Sequence, residues 1–268
     1  MRLLLKMNNS KFIASFFKKF SKFINNLLEK NLNKLNIDNL KNLLINNKIF
    51  LSIVALIILF LSYLSIPNIH NKEEVALEIK KNLKNKLNLE FNFQEDLDYK
   101  FIPRPHFTTN NSSIRFKGDK ITEIKKLKVN VSLENLFSLK GMKLNHLTLD
   151  KANFNLKKDN YNFFYDLLDG NFNDFNFEIL NSNIFYRSLE NEILFINNIS
   201  NAKYYFDSKE IRNMLYSNNE IFNLPYTIKI FDDKIKKIIF SEINIDSLRL
   251  QINNQTKYIG KNYSVYQS

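Results

Sequence analysis

A chain of 268 residues with 44% hydrophobic side chains holds enough apolar material for a sizeable core in one or two domains, which excludes a disordered polymer. It has no cysteine, so disulfides, thiolate metal sites, a cysteine nucleophile and a lipid-modified N-terminal cysteine are excluded; its four glycines form no G-x-G-x-x-G, Walker or G-x-S-x-G pattern, which counts against most nucleotide enzymes. The net charge of +12 is concentrated: residues 1–48 carry ten basic side chains against Glu29 and Asp38, a net +8, and the rest of the chain shares +4, so the excess belongs to an N-terminal arm and not to a nucleic-acid surface.

In that arm Phe12, Phe16, Phe20, Phe23, Ile24, Leu27 and Leu28 recur at helical spacing, with Lys11, Lys18, Lys19 and Lys22 largely between them. The pattern predicts a basic amphipathic helix over part of residues 1–48, lying on an anionic cytoplasmic leaflet. Ile49 to Ile66 then runs for eighteen residues without a charge. At 1.5 Å per residue this is about 27 Å of helix, close to a bilayer core, and it predicts one transmembrane helix lined by Ile49, Leu51, Val54, Leu56, Ile58, Phe60 and Ile66. Forty-eight residues precede it and no A-x-A site follows, which argues against a cleaved signal peptide. Lysines crowd its N-terminal side, so the positive-inside rule places the N-terminus in the cytoplasm and residues 72–268 outside it.

After Pro67, Val75, Ile79, Leu83 and Leu87 stand four apart with charges between them and predict a short amphipathic helix. From Leu89 the period changes to two. Leu127, Val129, Val131 and Leu133 alternate with polar residues, as do Leu147 and Leu149, then Ala152, Phe154 and Leu156, then Phe175, Phe177 and Ile179, then Ile243 and Ile245, and finally Leu248, Leu250 and Ile252. These are strands with one apolar face, joined by short polar links such as "LDKANFN" into a largely antiparallel sheet. A composition shift near Tyr161 to Gly170 marks a possible division into two β units. An apolar face can close against a second sheet as a β-sandwich, accept a helix, or hold an apolar ligand. On alternation, the candidates for a ligand groove are Leu127, Val129, Val131, Leu147, Leu149, Phe175, Phe177, Ile243 and Ile245.

Chemistry-bearing residues are scattered. His70, His106 and His146 have no partner at metal-ligand spacing, and Glu95, Asp96, Asp98, Asp232 and Asp233 fall in predicted turns, where Asp satisfies its own backbone. No catalytic, cofactor-binding or metal residue is assigned, and no enzyme activity or cofactor is expected. Twenty-five Phe and twelve Tyr interleave with lysine, a mixture that can stack single-stranded nucleic acid, but the alternation places many of the rings on the apolar face. No nucleic-acid partner is expected.

Several stretches, in order, carry a resemblance. "VALEIKKNLKNKLNLEFNFQ" is a helix running into a strand; "FIPRPHFTTNNSSIRF" holds Pro103 and Pro105 ahead of a strand; "IKKLKVNVSLENLFSLKGMKLNHLTLD" carries Leu133, Leu139 and Gly141 at an L..L..G turn; "KANFNLKKDNYNFF" ends a further strand with Phe where tryptophan is usual; and "FNFEILNSNIFYRSLENEILFINNIS" forms the next hairpin element. The order resembles the N-terminal region of AsmA-like proteins of Gram-negative bacteria. Two departures are the 48-residue arm and the short length. The resemblance implies a curved β-groove similar to bridge-like lipid transfer proteins, on a single-pass inner-membrane anchor with the body in the periplasm. It also implies a role in outer-membrane biogenesis and phospholipid transport, with the bilayer and acyl chains as partners. The alternative is a bitopic scaffold whose closed β domain binds another envelope protein. Twelve strands at about 4.8 Å make roughly 60 Å of groove at most, so lipid carriage across an envelope would need partners.

Overall fold

The computed structural model describes residues 48–134, 136–233, 236–260 and 263–267. The expected amphipathic arm lies outside the described residues apart from Lys48. The chain divides after Leu61 into two compact units. Helix α1 (Lys48–Ser65) covers the predicted apolar run, and Leu56, Ile58 and Phe60 are 68%, 57% and 51% exposed, so the protein leaves these side chains bare. Val54 is half-buried, as is Ile66 in the 3-10 turn Ile66–Asn68; for Ile49 and Leu51 only the helical backbone is described. Among the described residues no single helix is long and apolar enough to cross a membrane, although Ser52–Asn68 together with the next helix passes on length and composition.

That next helix, α2 (Lys72–Leu87), forms where predicted and buries Val75, Ile79, Leu83 and Leu87 on one stripe. The Asn71 side chain caps it by accepting from the Glu73 N–H at 2.8 Å. Glu73 and Glu74 lie at its positive end and Lys84 and Lys86 at its negative end, and Asn88 closes it in the left-handed conformation at φ 55°.

Twelve strands follow in one open sheet: β1 (Glu90–Phe93), β2 (Asp98–Lys100), β3 (His106–Phe116), β4 (Asp119–Val131), β5 (Leu144–Leu156), β6 (Asn176–Arg187), β7 (Ile193–Asp207), β8 (Arg212–Ile221), β9 (Leu224–Asp233), β10 (Ile238–Ile245), β11 (Leu250–Gly260) and β12 (Tyr263–Gln267). The order is β1-β3-β4 and onward to β12, with β2 also on β3, and every pair is antiparallel except β5 and β6. The closed β-sandwich is therefore corrected: no second sheet faces this one among the described residues. Instead the apolar face accepts helices, because one α-helical stripe and one chain crossover supply enough apolar surface to seal half of it.

Both covers contribute to a single core. Alpha-helix α2 brings its four aliphatics, and the crossover Lys157–Phe175 that joins the parallel strands returns over the same face. This segment, the suspected boundary near Tyr161–Gly170, is a cover and not a division. It contains the short helix α3 (Phe163–Asp166) and buries Phe163, Leu167, Leu168, Phe172 and Phe175 at 2% exposure or less. Beneath it Tyr204 is fully buried, its ring stacked on Phe172 and Phe177 at 5.7 and 5.5 Å, and its hydroxyl donates to the Phe164 carbonyl at 2.9 Å.

The link "LDKANFN" is not a turn. Leu144–Leu156 is one strand with Lys151 at φ 57°, and the same interruption crosses five strands at one level, where the ladders skip Asn111, Lys125, Lys151, Asn181 and Ser200. Asn111 and Asn181 also have positive φ, at 50° and 48°, which asparagine tolerates better than most residues. One extra residue per strand shifts the alternation by one. Leu147 and Leu149 thus share a face with Ala152, Phe154 and Leu156, and the aligned row bends the sheet while keeping its apolar residues inside.

The double-proline stretch lies at the other edge. β1 pairs with Ser112–Arg115 and β2 with His106–Thr108, both on the outer side of β3, so the edge is broken into two short pieces. The Pro105 carbonyl accepts from the Val131 N–H at 3.0 Å. Short, interrupted edge strands offer little backbone for unwanted pairing.

Candidate functional site

Cover and sheet do not match in extent. Over β3 to β7 the inner face is sealed: Leu127, Val129, Leu147, Leu149 and Phe177 are at 0%, Phe175 at 1% and Val131 at 3% exposure. These seven candidates come together on one face and are packed as core. The crossover reaches β8 only at its start, where Asn213 donates to the carbonyls of Leu168 and Gly170 at 2.6 and 2.8 Å.

Beyond that contact many aliphatic residues of the same face are only half-buried or exposed. Register places Ile221 of β8 opposite Leu224 of β9, Ile228 opposite Ile243 of β10, Ile243 opposite Ile252 of β11, and Ile245 opposite Leu250. Ile228, Ile243 and Ile245 are half-buried, and Leu224, Ile252 and Leu250 are 36%, 43% and 44% exposed. The strip starts at the stacked rings of Tyr186 and Phe195, 4.3 Å apart on β6 and β7. From β8 to β11 it crosses three strand spacings, about 14 Å. One leaflet of a bilayer core is about 15 Å deep, so the strip is comparable in length to one acyl chain.

A polar group sits within this apolar floor. Asn197, Ser217 and Asn219 are 5%, 5% and 6% exposed, Ser217 Oγ donates to Asn219 Oδ1 at 2.8 Å, and Tyr226 Oη donates to Asn197 Oδ1 at 2.8 Å. Because Tyr226 is on β9 opposite Asn219 and Asn197 is on β7 opposite Ile221, the phenol crosses the inner face of β8 between Asn219 and Ile221. Burial, with Tyr186 nearby, pushes the Tyr226 hydroxyl up to about 12, so it remains a donor at any physiological pH.

The outer face is polar. Lys126, Lys128, Asn130, His146, Thr148, Asp150 and Glu178 line a basin of about 380 Å³. His146 Nε2 lies 3.4 Å from a Glu178 oxygen, yet burial outweighs that carboxylate and, aided by Lys203 and Lys128, holds the imidazole below its ordinary 6.5. His106 is lowered for the same reason, despite the Arg104 carbonyl 2.6 Å from its Nδ1. A depressed histidine contributes its stability above the unfolded value and loses it as pH falls through the folded one. The thermal midpoint is expected to hold near pH 7 and decline once the pH drops below about 6.5, less steeply in His146→Gln. A midpoint that rises on acidification over this range contradicts the assignment. Among the described residues no cluster of three or more His, Asp and Glu is placed to hold a metal ion.

Sequence alternation found Ile243 and Ile245, the two candidates that do lie in the strip. It missed Ile221, Leu224, Tyr226, Ile228 and the buried asparagines. "YTIKI" alternates as clearly as the strands singled out, whereas Asn197 and Asn219 are hidden in a chain rich in asparagine.

The family model that matches, over residues 45–173, is that of the AsmA family. Residues 45–173 are AsmA-family sequence. No curated protein matches the chain. The AsmA stretch ends within the crossover, so it includes α1, α2, β1 to β5 and most of the cover. The bare strip on β8 to β11 lies beyond it and rests on this chain's own geometry.

Proposed function

We propose that the protein is an inner-membrane-anchored member of the AsmA family that carries phospholipid acyl chains on the open part of its sheet, in lipid movement between the two membranes and outer-membrane biogenesis. AsmA membership supports an envelope-associated role. The observation that carries the finer reading is the continuity of the apolar face: sealed by α2 and the crossover up to β7, it runs on across β8 to β11, where its aliphatic residues are largely half-buried or exposed and no helix lies over it among the described residues. Burial of bare apolar area is worth about 25 cal/mol per Å², so this strip favours an apolar occupant. Bare Leu56, Ile58 and Phe60 support a bilayer environment for α1, and the lysine-rich flank supports an N-terminus in the cytoplasm and a body in the periplasm.

A second reading, docking of another envelope protein, is favoured by Leu189, Phe222 and Leu248, which are 76%, 77% and 56% exposed at hairpin tips on one rim. Extraction and mass spectrometry of lipid from the purified full chain separates the two. Phospholipid recovered near one molecule per chain, and removed by competition with labelled phospholipid, is the expected result. A chain free of phospholipid and unable to take it up, but retained on an envelope protein, selects the second reading.

A further inference from the structure

The strip is not uniformly apolar, and its polar group is incompletely satisfied. Asn219 Oδ1 accepts from Ser217, but Asn219 Nδ2 is buried without any hydrogen-bond partner. A buried N–H left unpaired is costly and rare, and it occurs here in the middle of the strip. Ile221 shares its face one step along β8, Ile199 and Tyr226 flank it across the ladders, and Ile228 lies opposite Ser217. Tyr226, the cross-strand partner of Asn219, reaches across β8 to hydrogen-bond Asn197 at 2.8 Å, so its phenol lies beside the amide.

We propose that Asn219 is a hydrogen-bonding station for an acyl-ester carbonyl, closed in this structure by Tyr226 acting as a latch. The inference rests on the acyl-chain reading above and adds to it the chemical class of the lipid. An occupant that satisfies the strip must be apolar along most of its length, and one that satisfies Nδ2 must bring an acceptor. An ester carbonyl next to an alkyl chain has both. A hydrocarbon or a dialkyl ether supplies the tail but only a weak acceptor. When Tyr226 releases Asn197, its ring clears β8, the carbonyl accepts from Asn219 Nδ2, and the chain lies along Ile228, Ile243 and Ile252.

The test is an internal competition on the full chain. The protein is incubated with equal amounts of a diacyl phosphatidylcholine and its dialkyl ether analogue of the same chain length, and the retained lipid is quantified by mass spectrometry. Wild type is expected to retain the diester about tenfold over the diether, the size of one buried hydrogen bond. Asn219→Leu is expected to hold both equally while still holding lipid. Tyr226→Phe keeps the ring and loses the latch, and should retain the tenfold preference while exchanging lipid faster. If wild type holds both lipids equally, the station is wrong and the acyl-chain reading stands. If wild type holds neither, both fall. The wild-type comparison needs no variant, so a misfolded Asn219→Leu leaves the test intact.

Discussion

Phe163→Ala is expected to destabilise the body by about 3–5 kcal/mol, read as a shift in denaturant midpoint with little change in slope. Phe163 has no exposed surface and meets Phe116, Phe154 and Phe164 at 5.3, 5.8 and 5.1 Å, so it pins the crossover to β3 and β5 at once. Truncation removes the burial of one ring and leaves a cavity between a single-layer cover and a sheet that has no second sheet behind it among the described residues. The crossover can relax little, because Asn171 N–H donates to the Lys86 carbonyl at 2.8 Å and Lys86 pairs with Asp174 at 2.7 Å, tying its far end to α2. Phe222→Ala is the control: this ring is 77% exposed at a hairpin tip, and its loss should stay within about 0.5 kcal/mol. Equal midpoints for the two variants would mean that the crossover is not what seals the inner face.

The dependence on a cover explains how far the fold could be read in the sequence. Period-two alternation located β4, β5, β6, β10 and β11, because an open sheet buries one face and leaves the other wet, but it did not single out β8 or β9. Val75, Ile79, Leu83 and Leu87 located α2 because a helix over a sheet buries one stripe. The aligned interruption was less legible: a shift of one residue between Leu149 and Ala152 has the same pattern as a turn, and only pairing across strands distinguishes the two. The crossover was less legible again. Its apolar residues, Phe163, Leu167, Leu168, Phe172 and Phe175, follow neither period for long, since each is buried by its place on the return path and not by a regular element.

The candidate site depended on the same limit. Alternation identifies which residues share a face, but burial of that face depends on how far α2 and the crossover reach, a tertiary fact. Leu147 and Ile243 are equivalent by period, yet Leu147 is sealed and Ile243 is half-bare. Asn219 shows the converse: its buried Nδ2 has no hydrogen-bond partner beside the cross-strand Tyr226, and nothing in one residue letter encodes that.

The double variant Ile243→Lys with Ile252→Glu is expected to lower phospholipid retention by more than about 100-fold while leaving the fold in place. The two positions face each other across β10 and β11, so the new side chains form an opposite-charge cross-strand pair, which a sheet tolerates. Ile243 is half-buried and Ile252 is 43% exposed, so the apolar area lost from the folded state is modest, and the lysine stem can still lie along the strip with its ammonium in water. An acyl chain bound there meets a different situation. One lysine in hydrocarbon costs about 2.5–3.5 kcal/mol, and each 1.4 kcal/mol is tenfold in affinity, so a single charge in the path accounts for the loss. Ile243→Val with Ile252→Val, which keeps the surface apolar, should hold lipid at nearly the wild-type level. Full lipid retention by the charged pair, with an unchanged circular dichroism spectrum and midpoint, would place the acyl chain somewhere other than β10 and β11. The latch and the asparagine station would then lose the chain they are meant to position.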